Sequence, residues 1–493
     1  MPEAAAARIL SFTVGGALFV VLATANGAGY RYGVSDQAFY IPAVTRALDA
    51  ALFPRDGLLI DAEGRLMVTD EILAALVGAT GIPLETLFFA GYLVSLGLLF
   101  AGMALIGTRV SSNPWVAAAI AVAFTMRHRI PRTSANSFEP YFHPRVLAFG
   151  LGTLAVAALL RRHPRTAMAL LGAGALVHVS TALWFAVLVG AALAVLDRRW
   201  WRLVGAGALT ALVALAAAIA VGPLRGSLVT MDDVWLQAVS GKDSLFATEW
   251  PVWAWVANLG LLGIVWFAHR VRVGRGTATE EDTAVVWGAT ALVGLFLLTL
   301  PLVAAGVSLA VEFQFPRVFW LVDLVALVYV LAALVETRPR RVALGAAVLL
   351  LAVAAGRGAY IMLVEQPERA LFDLRMPDSP WHDAMRWMAA TPRDVHVLAD
   401  PGHAWKYGTS VRVAAERDVL VEEVKDSAVA IYSREVAARF VDRVGAIGDF
   451  PALTADGART LARRYGLDYL VTDADLPLPE VYRNARFRIY ALR

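Results

Sequence analysis

Long apolar runs separated by short polar breaks fill residues 1–356, and the rest of the chain alternates on a shorter scale. Roughly 20 apolar residues span the hydrocarbon core of a bilayer, so each long run is a candidate membrane helix. The pattern predicts helices over 9–25, 84–107, 114–126 and 146–160. The stretch 166–196 carries no charge and is too long for one crossing. His178, Ser180 and Thr181 stand at its middle, which predicts a tight helical hairpin with a polar tip. Five more runs follow at 203–221, 252–268, 284–304, 318–335 and 342–355. With the hairpin taken as two, about 11 transmembrane helices are expected.

Residues 357–493 have the composition of a soluble domain. The apolar spacing predicts helices over 381–390, 427–444 and 455–465, and strands over 395–399, 468–472 and 487–492, with 411–415 a further candidate strand. Strands alternating with helices imply a small, partly parallel sheet covered by helices. The fold class expected is an α-helical polytopic membrane protein with a small C-terminal soluble α/β domain. Its transmembrane domain is 1–356, with long loops at 27–83, 127–145 and 222–251.

Composition supports this division. Hydrophobic residues make up 58% of the chain and charged residues 17%, with a mean hydropathy of +0.60. Soluble proteins carry about a quarter charged residues. No cysteine is present, which excludes disulfides, thiolate nucleophiles and Cys-type zinc sites. The net charge of +3 does not point to nucleic acid. Of 44 basic residues, only Lys242, Lys406 and Lys425 are lysines. The apolar run after the short N-terminal segment reads as a retained first helix rather than a cleaved leader.

Arginine placement sets an expected orientation. Arg161, Arg162, Arg198, Arg199, Arg202, Arg272, Arg338 and Arg340 lie in or beside short loops on one side, taken as cytoplasmic. The three long loops then lie outside, and an odd number of crossings puts 357–493 outside with them.

The candidate chemistry is in the long loops. Phe39, Val44, Leu48 and Leu52 recur at near-helical spacing, so the first loop is expected to lay a helix on the membrane surface. Asp36 falls at its N-terminus, where backbone N–H groups favour an ionised carboxylate; a plain cap and a catalytic base both fit that position. The second loop holds Arg127, His128, Arg129, Arg132, Glu139, Tyr141, Phe142, His143 and Arg145. Arginine recognises phosphate oxygens in paired fashion, so an anionic ligand or lipid headgroups would account for this cluster. Arg317 and Asp323 open a late crossing, and a buried Asp needs a partner or a wet cavity. Asp473 and Asp475 follow a predicted strand as a short Asp-x-Asp, a weak candidate for holding a divalent cation. No His/Asp/Glu set has convincing metal-ligand spacing.

These features together resemble the polytopic GT-C glycosyltransferases that use polyprenyl-phosphate-linked sugars. The resemblance rests on Asp36 soon after the first crossing, the long first loop with surface helices, and the Arg-rich second loop. Phe315-Pro316-Arg317 and the ending Tyr465-Gly466-Leu467-Asp468-Tyr469-Leu470-Val471 add to it. It implies inverting transfer of a sugar from a polyprenyl-phosphate donor at the bilayer to an acceptor glycan, lipid or protein outside the cell, with Asp36 as catalytic base. A second acid would be Asp56 or Glu139, because Gln37 stands where many members have an acid. Arg129, Arg132, Arg145 and Arg317 would hold the lipid phosphate. Gln37, Tyr40, Tyr141, Phe142 and His143 would line the sugar cleft. A transporter and a non-catalytic envelope protein are the rival readings, although His178 and Asp323 are nearly the only ionisable residues within the spans.

Overall fold

A computed structural model describes residues 2–65 and 67–493, with side chains from residue 9 onward. The chain forms two compact units. The first consists of the residues up to Tyr30, Phe88–Leu228 and Asp243–Phe372. The second consists of Arg31–Leu87, Val229–Lys242 and Asp373–Arg493. Most of the first long loop and a piece of the third are therefore grouped with the C-terminal region, across the division that composition draws at 356.

Each of the eleven predicted apolar runs is a helix. Among the described residues, eight helices are long and apolar enough to cross a membrane by length and composition, from Ile9–Asn26 to Arg340–Glu365. The other three, Pro114–Phe124, Pro144–Leu160 and Pro164–Val177, are shorter. All three begin on proline, whose missing N–H is no loss in a first turn. Asn113 and His143 cap the first two of them through side-chain acceptors.

The run 166–196 is a hairpin. Its arms are Pro164–Val177 and Val179–Leu196, and His178 alone joins them in an extended conformation. A Cβ on Gly174 of the first arm would lie 3.6 Å from Ala182 of the second. Phe149 of the Pro144–Leu160 helix packs edge-on against Phe185, and the His143 and His178 rings are 6.3 Å apart. His178 thus sits near the start of the Pro144–Leu160 helix, and the chain turns back there.

At the opposite ends of these helices, arginine–carboxylate pairs tie the bundle together. Arg272 is fully buried and meets Asp282 at 3.1 Å, Glu336 at 3.0 Å and the carbonyl oxygen of Val110 at 3.1 Å. Arg109 and Arg162 share Glu281. An unpaired charge at Arg272 would carry a large desolvation cost, which pairing offsets.

In the second unit, helices Gln37–Leu48, Gly57–Gly64 and Thr69–Thr80 precede a five-stranded sheet. The strands are β1 (His396–Leu398), β2 (Asp418–Val419), β3 (Tyr469–Thr472), β4 (Glu480–Arg483) and β5 (Arg488–Ala491). Their order is β2-β1-β3-β5-β4, parallel across the first three and antiparallel beyond. Two apolar layers cover its faces, one around Trp381, Met385 and Met388 and the other around Leu420, Leu461 and Leu467.

Three expectations are corrected. The segment at 411–415 is a short helix, Val411–Ala414, begun by the Ser410 hydroxyl accepting from Arg412 N–H. The helix expected over 427–444 is two, because Ser433 adopts an extended backbone and caps a new helix, Arg434–Ile447. The surface helix buries Ala38, Ile41 and Val44, while Leu48 is exposed and Leu52 lies beyond its end.

Candidate functional site

Asp36 stands at the N-cap of Gln37–Leu48, as its position suggests, but its side chain makes no capping hydrogen bond. The carboxylate instead accepts from Lys425 Nζ at 2.7 Å. Asp36 is 25% exposed and Lys425 10% at their side chains. Lys425 belongs to the helix Glu423–Val429 of the C-terminal region, and its ammonium also lies 5.2 Å over the Phe39 ring. Lys242 donates to the carbonyl oxygen of Val424 at 2.8 Å. Burial, with the Lys425 charge nearby, pulls the Lys242 ammonium down to about 8. Two of the three lysines in the chain therefore gather around Asp36 (the third, Lys406, pairs with Asp400 at 2.6 Å).

Gln37 is buried, and its Oε1 accepts from Gly33 N–H at 2.7 Å, closing the turn before the helix. Tyr40 is buried too, at a half-open cleft shared with Phe39, Leu59, Ile60, Glu63 and Asp70. Burial, with Glu71 beside it, pushes the Asp70 carboxyl up to about 7.

Asp56 has a different position from Asp36. It is fully enclosed, and one oxygen accepts from Arg412 Nε at 2.7 Å and from Val419 N–H at 3.1 Å. Its other oxygen pairs with Arg439. Arg412 also meets Asp426 at 2.6 Å. The two guanidiniums outweigh burial and hold the Asp56 carboxyl well below the usual range. Asp418 completes the junction by accepting the N–H groups of Arg55 at 3.0 Å and Asp56 at 2.9 Å. This arrangement pins the first loop to the sheet.

The remaining candidates lie in the first unit. Glu139 is buried between Arg127 at 3.1 Å and Arg145 at 2.6 Å. Arg145 also belongs to the first turn of Pro144–Leu160, where its N–H meets His143 Nδ1 at 3.2 Å. Arg132 pairs with Asp243 at 2.5 Å, whereas Arg129 is exposed on the two-residue ladder 129–130/135–136. Tyr141 and His143 are buried with their rings stacked 6.2 Å apart, and Phe142 packs edge-on against Phe88. Arg317 ends the short turn Phe315–Arg317 that opens its helix. Asp323 finds its partner in His128, Nε2 to Oδ2 at 2.9 Å. Among the described residues, no group of three or more acids or histidines could hold a metal ion. Asp475 of the Asp-x-Asp segment is paired with Arg488 at 3.3 Å.

Lys425, Lys242, Arg412 and Arg439 carried no motif. The signal available for the first two was the scarcity of lysine in an arginine-rich chain.

The helices and sheet define a multi-pass membrane protein with a small strand-containing C-terminal region. No protein-family model matches the sequence, and no curated protein matches it. Among solved structures the chain is similar to a cryo-EM structure of the arabinofuranosyltransferase AftD from mycobacteria, at 14% identity and a TM-score of 0.37. The match covers 98% of this chain and 40% of that one.

Proposed function

We propose that this protein is a membrane glycosyltransferase that moves a sugar from a polyprenyl-phosphate donor to an acceptor hydroxyl outside the cell. The observation that carries the reading is the Asp36 carboxylate, partly exposed at a helix N-terminus and paired with Lys425. A lipid phosphate leaves readily, so the reaction needs little acid assistance. It needs a base to take the proton of the acceptor hydroxyl and cations to stabilise the departing phosphate. In the proposed step, the acceptor oxygen bonds to the anomeric carbon and the bond from that carbon to the phosphate oxygen breaks. The proton passes to Asp36, and attack from the opposite face inverts the centre. Arg129, Arg132, Arg145 and Arg317 are the proposed phosphate ligands; of these Arg129 is exposed, whereas Arg132 and Arg145 pair with Asp243 and Glu139. Asp56 and Glu139, the candidates for a second acid, are each enclosed between two arginines.

The test uses the purified full chain in liposomes with a panel of radiolabelled short-chain polyprenyl-phosphate hexoses and pentoses and a membrane acceptor extract. Asp36→Asn is expected to lose about 100-fold or more of the transfer seen with wild type. Wild-type rates in that variant, or no transfer from any donor by wild type, would overturn the proposal.

A further inference from the structure

We infer that Lys425 is a positioning residue for Asp36, so that the C-terminal region supplies part of the reaction centre; this rests on the reading of Asp36 as the base. Three observations converge. Lys425 Nζ donates to Asp36 Oδ1 at 2.7 Å. Its side chain is 10% exposed and lies over Phe39, the residue three beyond Asp36, so both of its contacts sit at one helix start. Lys242 donates to the carbonyl oxygen of Val424, next to Lys425, and so steadies the backbone from which that lysine extends. Arginine fills almost every other basic position, yet lysine stands at both places around this carboxylate.

The chemistry favours an ammonium over a guanidinium here. An ammonium is a compact point charge on a flexible stem, whereas a guanidinium forks across both oxygens of a carboxylate. The Lys425 contact falls on a single Asp36 oxygen, Oδ1, rather than forking across both. A neighbouring cation also favours the charged form of a carboxylate. Lys242 in turn feels the charges of Lys425, Asp36 and Glu423.

Two measurements test this. In the liposome assay, Lys425→Met is expected to lower kcat about tenfold or more with little change in donor KM. It should also move the acidic limb of the pH–rate profile to higher pH, because a carboxylate without its cation protonates more readily. Lys425→Arg should recover part of the rate, and Lys406→Met should keep the wild-type rate and profile. A lysine that merely held the fold together would lower the active fraction without moving the limb. The second measurement needs no turnover. With three lysines, reductive ¹³C-methylation of the detergent-solubilised chain gives side-chain signals that Lys→Arg variants assign. Asp36→Asn should shift the Lys425 signal and leave that of Lys406 in place. If Asp36→Asn abolishes transfer while Lys425→Met keeps wild-type kcat and pH profile, the positioning role is wrong and the base assignment stands. If Asp36→Asn transfers normally, the base assignment itself falls. An unmoved Lys425 signal refutes the contact.

Discussion

At the scale of residues, the two aspartates of the first loop have opposite environments and should fail in opposite ways. Asp36 is partly exposed and pairs with Lys425, whereas Asp56 is fully enclosed between Arg412 and Arg439. Breaking a fully buried pair by removing one partner costs about 3–5 kcal/mol, and a part-buried pair costs less. Thermal unfolding in detergent should therefore show Asp56→Ala more strongly destabilised than Asp36→Asn. Glu422 offers a pH test in the same region. It is buried 3.9 Å from both His403 and Arg412, and burial pushes its carboxyl up to about 7. A carboxyl raised in the folded state binds its proton more tightly there than in the unfolded chain. Its contribution is thus fully present below the ordinary value and lost as pH rises through about 7. Glu422→Gln should gain melting temperature relative to wild type between pH 5 and pH 8, and a constant difference would exclude this origin. Sequence position alone could not separate Asp36 from Asp56, because what distinguishes them is Arg412 and Arg439, more than 350 residues away.

At the scale of elements, close helix packing depends on particular glycines. A Cβ on Gly288 in Glu280–Ala304 would strike the carbonyl oxygen of Leu188, a backbone atom that cannot rotate aside. Gly294 in the same helix has nothing within 4 Å of that position. Gly288→Ala should cost about 1–3 kcal/mol by overpacking, and Gly294→Ala should be neutral or slightly stabilising through helix propensity. Comparing the melting temperatures of the two variants checks the packing directly. The apolar runs of the spans were legible because a bilayer demands a length and a composition that any window along the chain can measure. The soluble helices and strands were legible where their apolar period was long. The segment at 411–415 misled because four or five apolar residues suit a strand or a helical turn equally, and the Ser410 cap decides between them. The strands β2 and β4 were missed because one is two residues long and the other is mostly exposed.

For the molecule as a whole, eight helices among the described residues are long and apolar enough to cross a membrane; we propose that the three shorter ones cross too, with the arginine-rich short loops facing the cytoplasm. The C-terminal region would then lie outside. Since the chain has no cysteine, a single introduced thiol reports without background. In intact cells a membrane-impermeant maleimide should label Asp475→Cys, at an exposed side chain, and should label Arg199→Cys only after permeabilisation. The reverse result would invert the orientation and remove the proposed base from the outer face.

The sequence by itself determined the membrane class, the apolar helices, the hairpin at His178 and a partly parallel sheet near the C-terminus. Each follows from local periodicity and from the burial that a bilayer or a sheet face imposes on neighbouring residues. Only the tertiary structure decided that residues 31–87 and 229–242 group with the C-terminal region, that Arg412 and Arg439 enclose Asp56, and that Lys425 holds Asp36. The reason is physical. A buried charge must find an opposite charge wherever the fold supplies one, and nothing in local spacing records which distant residue that will be.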